Sequence, residues 1–170
     1  SLHLIARPVG LPQTTDFELR DVPAVALQDG QIRVKNRYVS LDPAMRIWMS
    51  EQKSYWPPIG LGEVMRAFTL GEVVESTHSR IPVGHLVAGM LGVAEEVIHD
   101  GRGLQAFGPQ DLPDPTLALG VLGPTGMTAY FGLFDIGQPK AGETVVVSAT
   151  AGAVGSAVVQ LAKLRGCKVI

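Results

Sequence analysis

ETVVVSATAGAVGSAVVQLAKLRGCKVI, residues 143–170, is the stretch on which the fold turns. Thr144, Val145, Val146, Val147 and Ser148 form a continuous run rich in β-branched residues, which predicts a parallel strand buried on both faces. Ala149, Thr150, Ala151, Gly152, Ala153, Val154 and Gly155 follow as a turn of small residues. Val154, Val158, Leu161, Ala162 and Leu164 then recur at helical spacing, with Lys163 and Arg165 near the end and Gly166 placed as a C-cap. Cys167, Lys168, Val169 and Ile170 open a second strand. Strand, glycine turn, helix and strand together are the opening of a dinucleotide-binding fold. Gly152 would let the backbone approach a pyrophosphate, and Gly155 would let the helix pack close to the strand. The helix N-terminus would turn free N–H groups and its positive dipole end toward the phosphates. Thr150 stands where the first glycine of G-x-G-x-x-G belongs, so the motif reads A-x-x-G-x-x-G from Ala149, Gly152 and Gly155. The competing reading is a nucleotide-free turn that uses small residues for packing alone.

Upstream of this stretch the pattern changes. From Phe17 to about Gly123 short apolar runs are broken by Gly, Pro and Asp. Residues 31–39 alternate apolar and polar after the Asp29-Gly30 turn signal, as a half-buried strand does. Residues 72–76, 85–90 and 95–99 are further strand candidates, with a turn at Ile81-Pro82-Val83-Gly84. Several short strands separated by turns predict a small β-barrel or sandwich. Asp42 and Pro43 read as the N-cap and first residue of a short helix. Ser54-Tyr55-Trp56-Pro57-Pro58 reads as an exposed aromatic loop of the kind that carries binding residues, or as a loop whose rings pack it down. A second helix is expected from Gly126 to Leu133, ended by Gly137 and Pro139.

Composition narrows the functional classes. Among 170 residues, 46% are hydrophobic and 18% charged, enough for a buried core. A net charge of −2 carries no footprint for nucleic acid or an anionic membrane. No apolar run reaches the roughly 18 residues of a membrane span, and the start lacks a signal-peptide pattern, so a soluble cytoplasmic protein is expected. A single cysteine, Cys167, excludes an internal disulfide and a multi-cysteine zinc site, and reads as inert core. His3, His78, His85 and His99 show no ligand spacing, and no histidine precedes Glu63, so no metal is expected. His85, after Gly84, reads as a solvated turn residue, and His99 as a partner for Asp100. One strand and one helix cannot cover both faces of a parallel sheet, so the chain is expected to be truncated, the front part of a longer one. The residue that selects NAD or NADP is then expected beyond Ile170.

Ser40-Leu41-Asp42-Pro43-Ala44-Met45-Arg46, residues 119–132 (LGVLGPTGMTAYFG), Asp135-Ile136-Gly137 and residues 143–170 resemble the medium-chain dehydrogenase/reductase superfamily. Within it they resemble the zinc-free, NADPH-dependent double-bond reductases, of the leukotriene B4 dehydrogenase/prostaglandin reductase, curcumin reductase and alkenal reductase type. The resemblance implies a β-rich GroES-like barrel domain over residues 1–123. Residues 124–170 would be a linking helix and the first β-α-β step of an α/β Rossmann domain that binds NADP(H). It implies hydride transfer from NADPH to the carbon–carbon double bond of an α,β-unsaturated ketone or aldehyde, by a cytoplasmic homodimer with a small-molecule substrate. The cofactor-binding residues it implies are Gly152, Ala153, Val154, Gly155 and Thr128, the last near the nicotinamide. The substrate-cleft residues it implies are Arg46, Tyr55 and Pro124. A helix-start cap is the alternative for Thr128, and pairing with a surface acid the alternative for Arg46. No catalytic acid is assigned within the chain, because the family's tyrosine lies downstream. Three positions depart from the family: Ala44 where tyrosine is usual, Pro124-Thr125-Gly126 where Met-Pro-Gly is usual, and Val93 where an aromatic is common. A quinone reductase, a cofactor-binding protein without turnover and a bare GroES-like interaction domain are the competing functional readings.

Overall fold

Ile32 and Val34 alternate with Arg33 and Lys35, and that period of two sends the apolar pair into the core and the cations to the opposite face of the sheet. In the computed structural model, which describes residues 1–23 and 25–170, they open β3 (Ile32–Val39). Two short strands precede it, β1 (Leu2–Leu4) and β2 (Phe17–Leu19), paired antiparallel. After β3 come helix α1 (Ala44–Trp48) and strands β4 (Thr69–Ser76), β5 (Leu86–Gly89), β6 (Glu96–His99) and β7 (Gln105–Phe107). These strands form one antiparallel sheet in the order β6-β3-β4-β5-β7. Arg33 sits opposite Glu75 in the β3–β4 register, and their ion pair at 3.2 Å adds a cross-strand contact to it.

The chain divides into two compact units, Ser1–Pro115 and Thr116–Ile170. Among the described residues the first shows two apolar clusters. Ile32, Val34, Val73, Ile81, Val87 and Leu91 fill the one under the sheet. Leu4, Trp48, Met49, Ile59 and Met65 fill the other, against which Ala44 and Met45 of α1 also pack.

A 3-10 turn at Pro115–Ala118 spans the boundary, and the second unit continues with helix α2 (Pro124–Phe131), extended by a π-helical turn at Gly132–Gly137. Strand β8 (Thr144–Val145), helix α3 (Ala153–Leu164) and strand β9 (Lys168–Val169) follow, with β8 and β9 parallel. Leu133, Ala162 and Cys167 form its core, with Val145, Val158, Leu161 and Val169 packed around them.

Three local expectations are corrected. Helix α1 starts at Ala44, and the Asp42 carboxylate accepts from the Ser40 hydroxyl at 3.1 Å instead of capping the helix. Helix α2 starts two residues earlier than Gly126, because Pro124 has its φ preset for the first helical turn and loses no needed donor there. The run around β8 is not buried on both faces: Val146 is 76% exposed. Among the described residues β8 has one partner strand, β9, so its other edge carries no partner strand.

Candidate functional site

The β8–α3 connection is built from residues too small to fill it. Ala149 adopts a left-handed conformation, with φ at 51°, and its carbonyl accepts the Gly152 N–H at 2.9 Å. Gly152 is the N-cap of α3, in extended conformation and with no capping side chain. The first amide bonded within the helix is that of Ser156, which donates to the Gly152 carbonyl at 2.9 Å. The N–H groups of Ala153, Val154 and Gly155 thus point out of the helix end with no side chain to accept them. The nearby Ser156 hydroxyl turns its proton back to the Ala153 carbonyl, at 3.2 Å.

Gly155 has a steric reason of its own. A Cβ placed there would lie 2.3 Å from the Ala149 carbonyl oxygen and 2.9 Å from its carbon, so the helix approaches the turn as closely as it does only with hydrogen at that position. At Gly152 a Cβ would meet the same oxygen at 3.2 Å. An exposed turn, three unpaired N–H donors and the positive end of a 12-residue helix fit a phosphate-bearing group.

The other expected site residues take more local roles. Thr128 Oγ1 donates to the Pro124 carbonyl one turn back, at 2.7 Å, so it does not cap the start of α2. Pro124 is the first residue of that helix. In the first unit, Arg46 pairs with no acid among the described residues. Its Nε donates to the Gly10 carbonyl and its Nη2 to that of Pro8, both at 3.1 Å. Tyr55 is 76% exposed, whereas its neighbour Trp56 is stacked on Trp48 at 5.8 Å between ring centroids. The aromatic loop therefore answers to both readings, one ring outward and one packed down.

Three arginines around that loop matter more than their sequence context suggests. Arg66 lies 5.6 Å from the Trp48 ring centroid and 5.2 Å from that of Trp56. Arg7 and Arg46 bridge backbone segments far apart in the chain. Their partners are carbonyls and ring faces, which leave no charge pattern to read. His85 differs from the solvated residue expected, because its Nδ1 is buried without a hydrogen-bond partner. At His99, Nδ1 accepts the Gly101 N–H at 3.0 Å and stands 3.5 Å from Asp100. The Arg102 N–H on Asp100 holds that carboxyl below its ordinary range, with the Arg102 charge adding to the effect.

Residues 1–107 match the family described as N-terminal domain of oxidoreductase. The chain is 44% identical over 169 residues to the NADPH-dependent curcumin reductase of Escherichia coli strain K12, covering 98% of this chain and 48% of that protein. It is 43% identical over 164 residues to prostaglandin reductase 1 of Rattus norvegicus, covering 95% of this chain and 47% of that one. Among solved structures, CurA in complex with NADPH from Vibrio vulnificus matches with a TM-score of 0.90 at 44% identity, over 99% of this chain and 50% of that one. The chain spans about half the length of the curated relatives it matches.

A β-rich unit followed by a glycine turn on a parallel βαβ step is the architecture of the dinucleotide-dependent oxidoreductases. This chain belongs to the oxidoreductase family of the matched N-terminal domain, within the medium-chain dehydrogenase/reductase superfamily.

Proposed function

We propose that this protein binds NADPH and reduces the carbon–carbon double bond of α,β-unsaturated ketones or aldehydes. The carrying observation is the turn from Ala149 to Gly155, with its three uncapped N–H groups and its Cβ-free approach. The names of the curcumin and prostaglandin reductases and the NADPH complex of CurA support the cofactor and the substrate class.

When bound, NADPH would supply the hydride for the β-carbon of the substrate. The backbone amides of Ala153, Val154 and Gly155 would donate to pyrophosphate oxygens, with the α3 dipole favouring the negative charge. These donors are already in place, so no reorganisation of the turn opposes binding. Thr128, whose proton is committed to the Pro124 carbonyl, would offer its oxygen as an acceptor near the nicotinamide amide. Tyr55, exposed on its loop, would offer a wall to the substrate. Arg46, anchored on two carbonyls, would shape the wall there rather than act as a free donor. Ala44 packs against the core of Leu4, Trp48, Met49, Ile59 and Met65, and brings no hydroxyl to the place where the family usually has tyrosine.

The test is NADPH consumption by the purified protein with a 2-alkenone, a 2-alkenal and a quinone in parallel. Turnover of the first two is expected. Turnover of the quinone alone would establish the quinone-reductase reading instead, and NADPH binding without any turnover would establish a cofactor-binding protein.

A further inference from the structure

The loop of residues 50–58 carries Tyr55 out to solvent, yet it is tied down at both stems and in its middle. At the stems, the Ile59 N–H donates to the Trp48 carbonyl at 2.8 Å. One guanidinium nitrogen of Arg7 bridges the two strands of the stem, at 3.0 Å from the Met49 carbonyl and 2.6 Å from that of Ile59. In the middle, Trp56 lies on Trp48 with 20° between the ring planes. Trp48 itself is 3% exposed, anchored in the core with Met49 and Ile59. Arg66 covers both rings, and its Nη1 donates to the Pro57 carbonyl at 2.9 Å. No acid forms a salt bridge with Arg66 among the described residues, so its charge rests on the ring faces and one carbonyl.

We infer that Arg66 is a positioning residue, which latches the 50–58 loop through Trp56 and Pro57 so that Tyr55 is presented as a preformed wall for the enone. The inference rests on the proposed reductase reading. A loop with two consecutive prolines and an exposed phenol would otherwise sample many conformations, and each productive encounter would have to order it. Here the ordering is done in advance, by a flat cation that can lie against two indoles and still donate to a carbonyl. Lysine can supply the charge but not the planar fork.

The latch has its own optical signal, because the chain's two tryptophans are the two stacked rings. The experiment compares Arg66→Gln, Arg66→Lys and Trp56→Leu with the parent protein. It reads near-ultraviolet circular dichroism, tryptic cleavage at Lys53 in the loop, the NADPH Kd and steady-state kinetics with a 2-alkenone. In Arg66→Gln the coupled indole signal is expected to be lost and Lys53 to be cut faster. KM for the enone is expected to rise roughly fivefold, the worth of one cation–π contact, with kcat and the NADPH Kd unchanged. Arg66→Lys should recover part of each change, and Trp56→Leu should reproduce them with the arginine intact. An unchanged indole signal and unchanged tryptic resistance in Arg66→Gln would overturn the latch, whatever the activity. A lost signal with KM unchanged, or with KM and the NADPH Kd worsening together, would overturn the positioning role. A parent protein inactive on every substrate would sink the reductase reading and the role toward an enone with it, while the optical and proteolytic arms would still decide whether Arg66 holds the loop.

Discussion

Gly155 shows what one hydrogen atom does for this chain. With the Ala149 carbonyl oxygen 2.3 Å from where a Cβ would sit, Gly155→Ala cannot be absorbed by a side-chain rotation, since the obstructing atom is backbone. The helix must retreat from the turn, at an expected loss of about 1–3 kcal/mol in stability, as for other overpacked sites. The retreat also carries the Val154 and Gly155 amides away from their present positions, so NADPH affinity should fall at least tenfold. Thermal unfolding and titration with NADPH check the two effects, and an unchanged Kd would mean that the turn is not the phosphate site. The requirement for glycine at 155 was legible, because the spacing from strand to helix leaves few other reasons for it. The left-handed Ala149 was not legible, since alanine seldom takes a positive φ and nothing local marks it. The arginines were hidden for a different reason. Arg7, Arg46 and Arg66 find acceptors on carbonyls, and every residue has a carbonyl.

Helix α3 and strand β8 come from adjacent residues but were not equally readable. Val154, Val158, Leu161 and Ala162 repeat with the helical period, and the helix forms where that period runs. The β-branched run before it signals burial, but burial needs a covering layer that a run of residues cannot supply for itself, and Val146 is left open. At the other end of α3 the free amides give an element-scale prediction. Hydrogen exchange at Ala153, Val154 and Gly155 should slow when NADPH is added, because those groups then have acceptors. The same amides should not respond to a nucleoside that lacks phosphates. Slowing by the nucleoside alone would place the phosphates elsewhere. Strands β3, β5 and β6 were readable from alternation and turn residues. The starts of α1 and α2 were displaced by one or two residues, as expected where a proline and a polar residue compete for the cap.

At the scale of the molecule, two units with separate cores follow one another, and the stretch between the last strand of the sheet and the first turn of the second unit is Gly-Pro-Gln-Asp-Leu-Pro-Asp, residues 108–114. Such a stretch is where a protease gains access, because it has few apolar side chains to hold it down. Brief proteolysis should therefore release a resistant fragment ending between residues 108 and 115, identified by mass spectrometry, and it should retain both tryptophans. Cleavage spread evenly over the sheet would contradict independent cores. The sequence by itself determined the order of these units, the β-rich character of the first, the strand–turn–helix of the second and the two glycines of its turn. Those features follow from side-chain period, from proline and glycine, and from spacing, all of which are local. Only the tertiary structure decided that Ala149 is left-handed, that Thr128 spends its proton on its own helix, and that Arg66 lies across two indoles. Each of these depends on which backbone atom or ring arrives from elsewhere in the chain, and no local pattern carries that information.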